Sequence, residues 1–162
     1  MIFSEIFVLE RDLTFIIGLL FSLVAGYLIG LERESRGKDA GISTHTFVIA
    51  GAMLFTYISL LMEPDNTLRI AANVLTGVGF LGAGIILKSE GGHITNLTTA
   101  ASLWFAAAIG MSIALGWYII AFVATVFSVF VPRLPHKRPV VEEEKEKNLA
   151  PVQNHYHRNW KQ

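Results

Sequence analysis

No cysteine occurs in the chain, which excludes a disulfide framework, a thiolate zinc site and a cysteine nucleophile. Charge is scarce as well. Only 16% of the 162 residues are Asp, Glu, Lys or Arg, against about 25% in soluble domains. What charge there is balances, 13 basic against 13 acidic residues, and avoids whole stretches of chain. Residues 13–31, 46–62, 70–87 and 97–131 carry no charge and no proline. These absences exclude an ordinary water-soluble globule, a nucleic-acid binder with a basic face and a disordered acidic chain.

What fills the gaps is apolar: 52% of the chain is hydrophobic. A bilayer core of about 30 Å needs roughly 17–25 such residues as helix. The first three runs, of 19, 17 and 18 residues, fit. The fourth, of 35 residues, would extend about 52 Å at ~1.5 Å per residue, too long for one span. Two short helices with a turn near 110–116 fit better, with Trp117 and Tyr118 as interfacial anchors. Five spans starting outside leave Arg33, Arg36, Lys38, Lys88, Arg133, Lys137 and Arg138 inside, against Arg11 and Arg69 outside. Four spans would move the last three out. The positive-inside rule therefore favours five, N-out and C-in.

The expected fold is thus an all-α, polytopic membrane protein. Its domains are an N-terminal segment 1–12, read as interfacial, then spans at about 13–31, 46–62, 70–87, 97–114 and 116–131. A charged tail, 132–162, follows. Segment 1–12 lacks a basic n-region, so it is not read as a signal peptide. The tail holds Pro132, Pro135, Pro139 and Pro151, an acidic run and His155-x-His157. It is too poor in apolar residues to offset its ordering entropy and is expected to be mostly disordered and cytoplasmic.

Within the spans small residues recur. Gly18, Ser22, Gly26 and Gly30 fall on one face of the first helix, and Gly26-x-x-x-Gly30 permits close backbone approach. Packing within the chain is the preferred reading, dimerisation the alternative. In the third span 77–84 formally contains G-x-G-x-x-G, but no strand precedes it and no acidic residue follows at the needed distance, so a dinucleotide site is rejected. Its glycines serve helix contact or a local break beside a polar cavity. Thr98, Thr99 and Ser102 open the fourth span and either bond carbonyls one turn back or line a polar path.

No ionisable residue lies deep in any span, which argues against an active pump but leaves a pore of carbonyls and hydroxyls open. Charges gather instead after the first span, where Glu32 and Arg36, and Glu34 and Lys38, stand four apart. That spacing is the favourable order for helix pairs, and the plain reading is a solvated, self-paired cytoplasmic loop. The sharper reading is a carboxylate site for hydrated magnesium, which needs only one or two carboxylates. Its candidate ligands are Glu32, Glu34 and Asp39, opposed by the nearby Arg33, Arg36 and Lys38. Arg69 either snorkels or pairs with an acid such as Asp65.

The sequence 30–34, Gly-Leu-Glu-Arg-Glu, followed by 37–45, Gly-Lys-Asp-Ala-Gly-Ile-Ser-Thr-His, resembles the first signature of MgtC/SapB membrane proteins. So do Arg69-Ile70-Ala71-Ala72 with 77–86, and 98–104, Thr-Thr-Ala-Ala-Ser-Leu-Trp. Together they cover about 13–131. The resemblance implies a cell (plasma or inner) membrane protein associated with adaptation to low magnesium. Such proteins are often called magnesium transporters, and some members look like regulators of other membrane machines, including ATP synthase. Carried over by motif, the positions of interest are Glu32, Arg33, Gly41, Thr44, Arg69, Gly79, Gly82, Gly84, Thr98 and Thr99. Ser43 stands where the family usually has Arg, and Asn96 where it has Gly. Longer members add a folded cytoplasmic domain. About 30 residues follow Pro132 here, so functions needing that domain are expected to be absent or supplied by another protein.

Two functions follow. One is a magnesium permease, with magnesium as substrate or ligand and no other cofactor expected. The other is a membrane interaction protein that regulates a partner, such as ATP synthase, by helix packing; here Gly26→Leu or Gly82→Leu would break a complex and spare insertion. The expected partners are the lipid bilayer and either a homo-oligomer or another membrane protein, not nucleic acid. No nucleophile–base pair is evident around His45 or His93, so no enzyme is expected.

Overall fold

The computed structural model describes residues 2–62, 67–86 and 95–134, with side chains for 9–62, 72–86 and 95–134. The described residues form five α-helices and no strand. These are α1 (Ile2–Ser35), α2 (Ile42–Met62), α3 (Thr67–Ile86), α4 (Leu97–Ala114) and α5 (Tyr118–Phe130), the last followed by a 3-10 turn, Val131–Arg133. The helices make one compact unit ending at Pro132, and Arg133 begins a second. Of that second unit, the expected tail, only Arg133 and Leu134 are described. Its histidines lie outside the described residues.

Helix ends differ from the ends of the charge-free runs for a simple reason. Charge marks where a chain leaves hydrocarbon, while a helix stops where its backbone is capped. Segment 1–12 has no proline or glycine to stop a helix, so α1 runs unbroken for 34 residues, about 51 Å at ~1.5 Å per residue. At its other end Gly37 adopts φ +64°. Gly37 N–H donates to the Glu34 carbonyl and Lys38 N–H to the Arg33 carbonyl, the paired bonds of a left-handed helix terminator. The same device ends α4. Gly116, at φ +74°, donates to the Ile113 carbonyl and Trp117 to that of Ser112. The turn within 97–131 therefore sits at 115–117, and Gly110 lies inside α4.

Three helices are long and apolar enough to cross a membrane, at 9–35, 42–62 and 97–114; the apolar parts of α3 (72–86) and of the last helix with its turn (118–133) are shorter.

Helix α4 touches all four others, and α1 lies along α2. At the centre, Ile29 of α1, Ile49 and Met53 of α2, and Ala106, Ile109 and Ile113 of α4 form a buried apolar cluster with Ala25 and Ala121. Glycine permits two close helix approaches. A β-carbon on Gly26 or Gly30 would overlap the backbone of Thr46 or Ile42, and one on Gly110 would overlap the Ile49 carbonyl. Packing by Gly26 and Gly30 is thus internal, between α1 and α2. A β-carbon on Gly18 would make only ordinary contact with Met53 and Ile113, and Ser22 donates to the Gly18 carbonyl at 2.8 Å.

Candidate functional site

Four of the buried polar residues, Glu32, Arg33, His45 and Thr99, gather at the end that carries the α1–α2 turn. Because α1 continues to Ser35, Glu32 and Arg33 stay helical and face inward, 3% and 2% exposed. Arg33 Nη2 donates to Thr99 Oγ1 of α4 at 2.5 Å. Its Nε is sealed from solvent without a partner. Among the described residues the ion pairs are Arg11–Asp12 and Arg36–Glu32, so no carboxylate touches Arg33. Glu32 accepts from Arg36 Nη1 at 3.4 Å through Oε1, while Oε2 is buried and unpartnered. Arg36 also donates to the Pro132 carbonyl, tying α1 to the end of the α5 segment.

His45 completes the cluster from α2, fully buried. Its Nδ1 lies 3.0 Å from the Gly41 carbonyl and its Nε2 3.3 Å from Ser102 Oγ of α4. Since a carbonyl only accepts, Nδ1 carries a proton. Ser102 in turn donates to the Thr99 carbonyl at 2.8 Å. One turn of α4, Thr99 to Ser102, therefore receives Arg33 from α1 and His45 from α2.

The sequence motifs divide accordingly. Glu32, Arg33 and Thr99 come together here, and Gly41 supplies the carbonyl for His45. Thr44, Thr98, Gly79 and Gly84 are exposed, and Gly82 packs on Ala100. Arg69 lies on α3, its side chain outside the described set, as is Asp65. Ser102 takes the carbonyl three residues back, and Thr99 uses its hydroxyl to accept Arg33. His45 has no helical-spacing signal. It meets Ser102 across 57 positions, a contact only the fold creates.

The three carboxylates considered for magnesium point to separate tasks. Glu34 Oε1 accepts the Ile42 N–H at 2.8 Å, capping α2. Asp39 Oδ2 accepts from Asn96 Nδ2 at 3.0 Å, holding the residue before α4, which sits at φ +63°. Glu32 faces Arg36. No group of three or more His, Asp or Glu among the described residues is arranged to hold a metal ion. The cap gives one expectation. A β-carbon on Gly41 would overlap the Glu34 carboxylate. Gly41→Ala and Glu34→Ala should therefore each cost about 1 kcal/mol, the usual worth of a helix N-cap, and the double variant little more than either, because both remove one bond. Denaturant titration of the four proteins in micelles measures this; additive losses would separate Gly41 from the cap.

Comparison with known proteins gives the family. The model of the MgtC family matches residues 19–138. Protein MgtC of Salmonella typhimurium strain LT2 is 44% identical over 119 residues, 72% of this chain and 51% of that protein. Protein MgtC of Brucella abortus strain 2308 is 44% identical over 122 residues, 75% of this chain and 50% of that protein. The chain thus spans about half the length of these relatives. No solved structure matches it. The matched region holds the whole buried cluster, both close glycine crossings and the described helices from the middle of α1 onward, and the chain belongs to the MgtC family.

Proposed function

We propose that this protein acts in magnesium homeostasis in the cell membrane, N-terminus out and C-terminus in, as a non-conducting regulator that works by packing against a membrane partner. The observation that carries this reading is the buried apolar cluster at the centre of the bundle. Ile29, Ile49, Met53, Ile109 and Ile113 are at most 2% exposed and close the interior next to the polar end. Magnesium sheds its waters reluctantly, and a seal of isoleucine and methionine offers no oxygen to replace them. At the polar end the ion would meet buried Arg33, a cation, and carboxylates already bonded within the fold. By resemblance, ATP synthase is the kind of partner such a regulator has.

The test is flux through the intact chain in liposomes that enclose a magnesium-sensitive dye. Under an inward magnesium gradient the signal should equal that of empty liposomes, with helicity and insertion verified in the same sample. Uptake above that baseline, abolished by Glu32→Gln, would make the protein a permease and overturn the reading.

A further inference from the structure

We infer that His45 and Ser102 form a proton-operated joint between α2 and α4, closed while the imidazole is neutral and released when acid charges it. His45 Nδ1–H is committed to the Gly41 carbonyl, so in the neutral ring Nε2 is a bare acceptor. Ser102 has one hydroxyl hydrogen and two acceptors within reach, the Thr99 carbonyl at 2.8 Å and His45 Nε2 at 3.3 Å. The Thr99 oxygen can spare that hydrogen, because inside α4 it also takes the backbone N–H four residues on. A turn of the hydroxyl toward Nε2 then ties α2 to α4 and leaves every group bonded.

Protonation reverses the bond without emptying it. Nε2–H would donate to Ser102 Oγ, and Oγ to the Thr99 carbonyl. Hydrogen bonding therefore does not choose between the two forms, and charge does. Arg33 is 2% exposed and joined to the same turn of α4 through Thr99, which sets a cation against a charged ring. Both helices also direct their N-terminal ends here, His45 being the fourth residue of α2 and Ser102 the sixth of α4. The amide ends of helices disfavour a cation. On the attractive side stands Glu32, whose Oε1 is already shared with Arg36. Glu34 and Asp39 are engaged by the Ile42 N–H and by Asn96. Residues 70–87 and 97–131 bring no charge of either sign, so α3, α4 and α5 offer nothing within those stretches to offset a second cation.

A charged imidazole with no exposed surface thus meets Arg33, Arg36 and two helix ends against one shared carboxylate. Parting α2 from α4 at this end relieves it by admitting water. The open joint binds the proton that the closed joint refuses, so closure holds above the range of a free imidazole, about pH 6.5, and is lost as pH falls through it. Histidine is the side chain that changes charge near neutral pH, and among the described residues His45 is the one histidine. Position adds to this. The joint lies one turn inside α2, beside the α1–α2 turn, so its opening needs no parting of the apolar cluster at Ile49 and Met53. The device is independent of whether the chain conducts magnesium.

Two measurements on the full chain in liposomes test the joint. Nitrogen-15 magnetic resonance of labelled histidine, with the His45 signals assigned by their loss in His45→Gln, should show a protonated Nδ1 and a bare Nε2 at neutral pH. Because the chain has no cysteine, spin labels can be placed at Ser43→Cys and Ala101→Cys, both exposed. The population with labels apart should rise about tenfold between about pH 7.5 and 5, the effect of one proton. The rise should vanish in His45→Gln. Arg33→Met, which removes the repulsion, should move the transition to lower pH, and Glu32→Gln, which removes the attraction, to higher pH. A strut without a titrating ring gives no such opposed shifts. An Nε2 that carries a proton at neutral pH, label separations that stay constant to pH 5, or a rise that persists in His45→Gln would each overturn the proposal. The resonance measurement is made on the parent chain, so a variant that fails to fold leaves the test standing.

Discussion

Gly110→Ala should leave little folded protein. In an ordinary helix the exchange gains up to about 1 kcal/mol from propensity. Here the sign reverses. The new methyl would overlap the Ile49 carbonyl and lie 3.0 Å from the Ala52 β-carbon. The first of these is backbone, with no rotamer to give way. Overpacking of a core costs typically about 1–3 kcal/mol and occasionally more, and a helix-to-helix backbone clash belongs at the upper end, so a loss of about 3 kcal/mol is expected. Gly26→Ala, against the Thr46 backbone, should behave alike, which means Gly26→Leu unfolds the α1–α2 pair before it can report on any external complex. Gly84→Ala is the control. Its β-carbon meets open space, and stability should hold or rise slightly. Unfolding in mixed micelles, followed by circular dichroism, orders the variants. If Gly110→Ala and Gly84→Ala unfold together, the tight α2–α4 crossing is wrong.

These glycines show how far the sequence could be read. The spacing of Gly18, Ser22, Gly26 and Gly30 announces a packed face, because four-residue periodicity is a property of one helix. Gly110 announces nothing. The 35-residue run needs one break, expected near 110–116, and the backbone bonds assign it to Gly116. The membrane helices themselves are legible because hydrocarbon excludes charge. Their ends are not, since α1 carries charged residues at both its ends and stays helical to Ser35.

The candidate site was the least legible part. Glu32 to Asp39 reads as a solvated loop with self-cancelling charges. Once the helix continues to Ser35, the first two charges of that stretch turn inward and the later ones stay out. Arg33 then reaches Thr99 across 66 positions, and Asp39 reaches Asn96 across 57. Nothing local encodes those partners. The departure at Asn96, where the family usually has glycine, also acquires a reason. The backbone there is left-handed, a conformation Asn tolerates better than most residues, and the amide is held by Asp39.

Arg33→Met should keep the fold and lose the function. The guanidinium is 2% exposed, holds one hydrogen bond, has a sealed, unpartnered Nε and touches no carboxylate among the described residues. Desolvating such a cation is expensive, and exchange of buried ionic groups for apolar ones of similar volume is often neutral or stabilising by about 1–4 kcal/mol. Methionine keeps most of the stem, and the Thr99 hydroxyl can turn to a carbonyl one turn back. Unfolding of Arg33→Met in micelles should therefore occur at the same denaturant concentration as the parent chain or higher. Glu32→Gln goes the other way. It removes the nearest negative charge from a cluster that keeps Arg33 and Arg36, and should cost about 1–3 kcal/mol, as for a buried charged group left without its complement. A buried cation that does not stabilise the fold is the place to look for function. Under the proposed role in magnesium homeostasis, cells should grow at limiting magnesium with the parent chain and fail with Arg33→Met at equal membrane abundance. If Arg33→Met instead fails to insert or unfolds at once, Arg33 is a strut between α1 and α4, and the working part of the molecule lies elsewhere.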